Sequence, residues 1–226
     1  MNSKKFLIFD AGPLISLTMN GLLNILEKLK EKHENIEFIL TPQVRREVID
    51  KPIKIKKYML EAVKISELLE KGVLKDSKDF LDNNQLAKET QRIINLSNSI
   101  VRAQGRKVEI VHEGEASCLA FANLIKKENL IVIDERTTRL LSEDPENIGK
   151  ILERKVHSPV EIIKENLEEF KNYRYIRSTE LVFFALKNDL LDLKKNKETL
   201  LALMFGLKYK GTAITTKEIE EMKTLI

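Results

Sequence analysis

Two short apolar runs in this chain each end on an aspartate. Residues 6–9 precede Asp10, and residues 130–133 precede Asp134. Four consecutive apolar residues, rich in β-branched or aromatic side chains, are typical of strands buried on both faces, as in a parallel sheet. Ligands of open α/β sheets bind at the carboxyl ends of the strands, so the two aspartates together predict an acidic site. Either aspartate alone would more often be a helix cap or a turn residue.

The sequence between the two runs indicates an α/β fold. Residues 36–40 predict a second strand, and Thr41 followed by Pro42 is a favourable start for a helix that carries Glu47. Apolar side chains at helical spacing mark three further stretches, residues 53–71, 86–100 and 114–127. We therefore expect a parallel β-sheet flanked by helices, in three α/β/α layers.

A change in composition near Lys155 predicts a domain of residues 1–155 and a helical C-terminal extension of residues 156–226. Ser158, Pro159 and Glu161 form a capping-box pattern that predicts a helix start, and no strand is expected after it. The same pattern at Thr215 and Glu218 predicts the last helix. Apolar residues of the extension must dock on the domain or on a second copy of the chain; they are Leu181, Phe184, Leu200, Leu203 and Phe205.

Composition excludes some classes of protein and leaves others open. The 39 Lys and Arg against 35 Asp and Glu give a net charge of +4, which is compatible with a nucleic-acid partner without demonstrating one. Cys118 is the only cysteine, so an intrachain disulfide and a multi-cysteine zinc site are excluded. No apolar run approaches the roughly 20 residues of a membrane span, and the N-terminus does not resemble a signal peptide. We therefore expect a cytoplasmic protein without membrane contact.

Glu115 is a third candidate for the acidic site. On a helix it shares a face with Cys118 and Leu119, and an uncompensated buried carboxylate is unfavourable by several kcal/mol, roughly. A position in the first turn, where the helix dipole favours negative charge, explains it equally well. Converging carboxylates without His or Cys are typical of a hard cation such as Mg²⁺, which supports hydrolysis at phosphorus. The sequence contains no P-loop, Rossmann or nucleophile-elbow motif.

Four segments of the chain resemble motifs of PIN-domain proteins, in the right order over residues 5–155. They are FDAGPLISL around Asp10, TPQVRREV around Glu47, GEASCLAFA around Glu115 and IVIDER around Asp134. The chain is thus identified as similar to the PIN family, as an archaeal-type member with a helical C-terminal extension.

The resemblance implies a metal-dependent endoribonuclease with the PIN-like three-layer fold. Asp10, Glu115 and Asp134 would be ligands of Mg²⁺ or Mn²⁺, and Glu47 would complete the catalytic set of four acids. RNA would be the substrate. The family includes toxins of toxin–antitoxin pairs and RNA-processing enzymes, so an antitoxin or another protein partner, or a homodimer, is also implied.

Several interpretations stay open. Arg136, Lys54 and Lys57 are possible substrate-binding residues, although runs of charge are more often solvated surface. Ser16 either binds a water on the metal or lies on a helix surface. Besides the ribonuclease, the chain could be a catalytically weak PIN-like scaffold that binds RNA or protein, or a structure-specific DNA nuclease with the same acidic chemistry.

Overall fold

The computed structural model describes residues 4–226 and has an α/β fold. Its strands are β1 (Lys5–Phe9), β2 (Ile36–Leu40), β3 (Leu74–Asp76), β4 (Val101–Ala103), β5 (Arg106–Lys107), β6 (Asn129–Val132), β7 (Val160–Ile162) and β8 (Tyr175–Ile176). The three longest of these strands are the ones that the apolar runs predict, and each lies within one residue of its predicted position.

The α-helices account for most of the remaining chain. They are α1 (Ala11–Met19), α2 (Ile25–Lys32), α3 (Pro42–Arg45), α4 (Met59–Glu70), α5 (Asn83–Ser97), α6 (Glu113–Ile125), α7 (Arg136–Glu143), α8 (Ile148–Val156), α9 (Ser178–Lys187), α10 (Lys197–Tyr209) and α11 (Thr216–Lys223). The other helical segments are a π-helix (Arg46–Asp50) and three 3₁₀ helices (Pro52–Lys54, Ser77–Asp79 and Lys164–Asn172). Thr41 caps α3 and Thr215 caps α11, as their sequence patterns predict.

The main sheet has five parallel strands in the order β3-β2-β1-β6-β8. The chain builds outward from β1 in one direction through β2 and β3, and in the other through β6 and β8. The topological switch point therefore lies between β1 and β6, the place where open α/β sheets form their ligand crevice. Asp10 directly follows β1 and Asp134 follows β6 by two residues, so the predicted fold class is confirmed and both acids flank the switch point.

Helices cover both faces of this sheet because alternate side chains of a strand point to opposite sides. On one face Phe6 of β1 packs against Phe121 of α6, with ring centroids 6.2 Å apart. On the other, Leu7 lines an apolar cavity of about 360 Å³ together with Leu29 of α2 and Leu181 of α9. The sheet is thus the middle layer between two layers of helices.

A second, antiparallel sheet in the order β5-β4-β7 shows that one predicted helix was wrong. The capping-box pattern at Ser158 does not begin a helix, because residues 160–162 form β7, which pairs with β4. Val160 and Ile162 are half-buried while Glu161 between them is exposed, which is the alternation of an edge strand. Pairing with a distant strand therefore overrides the local capping signal.

Residues 156–226 also contribute β8 to the main sheet, so the expectation of no strand in this part was wrong. A strand of two residues is too short to produce a recognisable pattern. Leu181, Leu200 and Leu203 are buried in the common core, whereas Phe184 is exposed. The sheet thus crosses the boundary expected near Lys155. Within residues 4–226, no helix combines the length and apolarity that crossing a membrane requires.

Candidate acidic site

Asp10 lies at the junction of β1 and α1. Its backbone N–H donates to the carbonyl of Val132 (3.0 Å), which ties the end of β1 to β6. Its Oδ2 accepts a long hydrogen bond from the N–H of Gly12 (3.4 Å), so Asp10 is the N-cap of α1. Only 7% of the residue is exposed. The side chain is therefore a helix cap, and it is at the same time a buried acid at the edge of the sheet.

Glu115 is buried in the first turn of α6, also with 7% exposed. Its Oε2 accepts hydrogen bonds from the backbone N–H of His112 (2.9 Å) and from the hydroxyl of Thr138 (2.9 Å). The first contact is local capping, which the sequence suggests. The second links α6 to α7 across 23 positions. Thr138 was not predicted as a site residue, because no local pattern marks such a partner.

Two further contacts hold α6 against the carboxyl edge of the sheet. The hydroxyls of Thr41, at the end of β2, and Ser117 are hydrogen-bonded at 2.6 Å. The thiol of Cys118 donates to the carbonyl of Phe9 at 3.4 Å. The buried Cys118 thus helps to hold the helix that carries Glu115 beside the strand that precedes Asp10, and burial raises the pKa of its thiol well above the usual range.

Glu47 reaches the same helix from the π-helical segment that follows α3. A Cβ atom at position 114 would lie 3.0 Å from Oε1 and 3.3 Å from Oε2 of Glu47, so Gly114 leaves the space that this carboxylate occupies. The partial positive charge at the N-terminus of α6 is a favourable place for it. Glu47 as a whole is exposed to solvent, and π-helical turns occur frequently at functional sites.

Asp134 lies beside Asp10 but has different partners. A Cβ atom at Gly12 would lie 3.7 Å from both Oδ2 of Asp10 and Cβ of Asp134, so both side chains border the start of α1. The Asp134 carboxylate, however, accepts hydrogen bonds from the N–H and hydroxyl of Ser178 (both 2.8 Å) and from the hydroxyl of Thr212 (2.9 Å). Neither Ser178 nor Thr212 was predicted, since both are distant from Asp134 in the sequence.

The electrostatics join three of the four predicted acids. Burial raises the pKa of Asp10 from 3.8 to about 7, with the carboxylates of Glu115 and Glu47 contributing to the rise. Burial also raises the pKa of Glu115, and partial burial raises that of Glu47. For Asp134, burial again raises the pKa, but the charged neighbour that adds to it is Glu180. Asp10, Glu47 and Glu115 therefore form one acidic group, which Asp134 adjoins.

The acids do not form a ready-made metal centre. Among residues 4–226, no three or more His, Cys, Asp or Glu side chains are arranged so that they could hold a metal ion. The three ligands expected from the resemblance, Asp10, Glu115 and Asp134, are therefore neighbours at the switch point without converging on one point.

The chemistry of the donors nevertheless fits a hard cation. In the part of the chain that the structure describes, the Asp10 carboxylate accepts hydrogen bonds only from the backbone N–H groups of Ala11 and Gly12, and that of Glu115 only from the N–H of His112 and the hydroxyl of Thr138, so neither carboxylate pairs with a Lys or Arg. Buried carboxylates are normally paired or bound to a metal. Mg²⁺ and Mn²⁺ prefer anionic oxygen atoms as ligands, and these carboxylates provide them. The residues present therefore fit the ion that the resemblance implies.

The predicted substrate-binding residues lie on two different segments of the chain. Arg136 begins α7 and lines a cleft of about 620 Å³ together with Arg139 and Arg177. Arg139 pairs with Glu143 (3.0 Å) and Arg177 with Glu218 (2.7 Å), whereas Arg136 makes no ion pair with any described residue.

Lys54 and Lys57 are exposed and follow the segment that carries Glu47. The ammonium nitrogen of Lys57 lies 5.1 Å from the centroid of the Tyr58 ring. Ser16, for which a water contact and a surface position were both open, is buried and contacts Thr212, with the two hydroxyl oxygens 3.5 Å apart. A position on the helix surface is therefore excluded.

Comparison with known proteins leaves the family open. No protein-family model, no curated protein and no solved structure matches this chain.

Proposed function

We propose that this chain is a metal-dependent nuclease that hydrolyses RNA phosphodiester bonds at the acidic group of Asp10, Glu47 and Glu115, with Asp134 beside it. One observation carries the proposal: buried carboxylates that pair with no Lys or Arg among the described residues lie at the topological switch point of a parallel sheet. Such charge is unfavourable in the absence of a cation. A bound Mg²⁺ or Mn²⁺ would balance this charge, and the cation would in turn bind the phosphate of a substrate.

Asp10 and Glu115 would hold the cation, because each is a buried carboxylate whose only protein partners are neutral donors. Asp134 would complete the ligand set from the other side of the switch point. When bound, a divalent cation of this kind lowers the pKa of a water molecule and stabilises charge on phosphate oxygens.

Glu47 would act on the proton of the attacking water. It is exposed, and its carboxylate accepts no hydrogen bond from the described residues, so water reaches its oxygens. Partial burial raises its pKa, with Glu113 adding to the effect and Lys51 opposing it. A carboxylate that is more basic than usual is a better general base at neutral pH. Arg136, Lys54 and Lys57 would attract the phosphates of the strand without reading its sequence.

Asp10→Asn tests this function. The substitution keeps the helix cap but removes a charged ligand, so we expect Mn²⁺-dependent cleavage of a mixed-sequence RNA to fall at least about a hundredfold. Binding of Mn²⁺, measured by titration calorimetry, should weaken in parallel. Asp192→Asn is the matched control. Asp192 is exposed, and its ion-pair partner Lys28 is distant from it in the sequence. Equal cleavage by wild type and Asp10→Asn would refute the nuclease assignment.

A binding scaffold is the second candidate, and a specific observation favours it. No three or more His, Cys, Asp or Glu side chains among residues 4–226 are arranged so that they could hold a metal ion. A scaffold would bind RNA or protein without Mn²⁺. If calorimetry detects no Mn²⁺ binding to the wild-type chain while RNA still binds, the scaffold replaces the nuclease.

A further inference from the structure

The C-terminal part of the chain reaches the acidic site through the loop between α10 and α11. The hydroxyl of Thr212 donates to Oδ2 of Asp134 at 2.9 Å, and the backbone N–H of Ala213 donates to the Asp134 carbonyl at 3.2 Å. Thr212 is 3% exposed, so its hydroxyl is enclosed. A segment 78 positions away along the chain therefore fixes both the side chain and the backbone of this aspartate.

Ser178, at the start of α9, completes the same arrangement. Its N–H donates to Oδ1 of Asp134 and its hydroxyl to Oδ2, both at 2.8 Å. The hydroxyls of Ser178 and Thr212 are themselves 2.9 Å apart. Three contacts join these two hydroxyls and Oδ2 of Asp134, but each hydroxyl has only one proton to donate. Only two of the three contacts can therefore be hydrogen bonds at any one time. The group is thus a small buried network around one carboxylate.

The network offers the Asp134 carboxylate hydrogen-bond donors without a formal charge. The buried carboxylate of Glu37 is neutralised by lysines, whereas that of Asp134 receives neutral donors only. Neutral donors fix the orientation of a carboxylate while leaving its negative charge available to a cation, which is how outer residues orient metal ligands.

We propose that Thr212 and Ser178 are positioning residues that hold the Asp134 carboxylate in place for the cation, and that the segment after α10 is part of the active site. This inference rests on the proposed nuclease function. It gives residues 210–215 a role in metal binding, in addition to their contribution to the packing of the C-terminal helices.

Thr212→Val tests the positioning role, because valine keeps the shape of threonine and lacks the hydroxyl. We expect Mn²⁺ affinity to fall about tenfold and kcat to fall with it, while KM for RNA changes less than about twofold. Thr212→Ser restores the hydroxyl and should restore both values to within about twofold of wild type.

Thr90→Val is the control for loss of a buried hydroxyl. Thr90 is 3% exposed and its hydroxyl donates to the Leu86 carbonyl at 2.8 Å within α5. This variant should lower Tm without weakening Mn²⁺ binding. A purely structural role of Thr212 predicts the same result for Thr212→Val, namely a lower Tm with unchanged Mn²⁺ affinity, and that result would overturn the inference.

The outcomes separate this inference from the function on which it rests. If Asp10→Asn weakens Mn²⁺ binding and Thr212→Val does not, the positioning role is wrong and the nuclease assignment stands. If wild type binds no Mn²⁺ and neither substitution changes cleavage, both are wrong. Weaker binding in both variants, with rescue by Thr212→Ser, supports both.

Discussion

Two buried carboxylates in the main sheet have opposite charge environments. Glu37, near the start of β2, is 3% exposed and contacts the ammonium groups of Lys4, Lys30 and Lys75 at 2.8, 2.9 and 3.2 Å. Asp10, at the end of β1, is 7% exposed and has carboxylates for its charged neighbours.

The pKa values of the two groups express this difference. Burial alone would raise the pKa of Glu37, but hydrogen bonds from the three lysines lower it to about 2. For Asp10 burial and the neighbouring acids act in the same direction, and the pKa rises to about 7. The amino-terminal side of the sheet thus neutralises its buried acid. At the carboxyl edge Asp10 has no such partner among the described residues, and perturbed groups in such places are candidates for function.

The largest expected effect is on the pH dependence of stability at Asp10. Its raised pKa favours the protonated folded state, so wild type loses stability as pH rises from about 4 to about 7 and stays destabilised above. Asp10→Asn avoids that charge. Since each pKa unit is about 1.4 kcal/mol, we expect the Asp10→Asn substitution to stabilise the metal-free protein by up to about 4 kcal/mol at pH 8 and very little below pH 4.

Urea unfolding of both proteins from pH 4 to pH 8, in the presence of a chelator, measures this difference. Asp192→Asn again serves as the control and should follow wild type at every pH. A difference between Asp10→Asn and wild type that does not change with pH, or that has the opposite sign, would show that the carboxyl edge is as well compensated as the environment of Glu37.

A smaller effect of opposite sign is expected at Glu37. Glu37→Gln leaves three ammonium groups without a carboxylate, and we expect a loss of about 2 kcal/mol at pH 7. This is less than for a fully enclosed pair, because the lysine side chains are 22–52% exposed and regain water.

The pH dependence at Glu37 should also be the reverse of that at Asp10. The lowered pKa of Glu37 stabilises the folded wild type above about pH 4.5, and this contribution disappears as pH falls towards about 2. Urea unfolding at pH 7 and pH 3 measures the change, with Glu34→Gln, at an exposed position two residues before the start of β2, as control. The proposed nuclease activity per folded molecule should not change, and a loss of that activity would mean that Glu37 is not purely structural.

The smallest expected effect concerns Lys54 and Lys57, which follow the segment that carries Glu47. If Lys54 and Lys57 contact phosphates, replacing both with Gln should weaken RNA binding a few-fold and reduce the slope of log K against log salt by about 0.7 for each lysine. Fluorescence anisotropy with a labelled RNA over a range of salt concentrations measures both quantities. Lys150→Gln, an exposed lysine on α8, is the control. An unchanged slope in the double variant would show that these lysines are solvated surface.

Much of the fold was predictable because it depends on local signals. The apolar runs before Asp10 and Asp134, the Thr41–Pro42 helix start and the capping box at Thr215 each act over a few residues, and each appears in the structure as predicted. The same kind of signal failed at Ser158, where pairing between β7 and β4 is stronger than the local preference. The two-residue β8 left no pattern at all.

The sequence alone was enough to show which residues end the buried strands and therefore which acids, Asp10 and Asp134, lie at one edge of a parallel sheet. The environments of these acids arise only in the folded chain. Folding groups Asp10 with Glu47 and Glu115, gives Asp134 the hydroxyls of Ser178 and Thr212, and gives Glu37 its three lysines. The physical reason is that strand and cap preferences act between neighbours along the chain, whereas burial and charge depend on residues that meet only when the chain is folded.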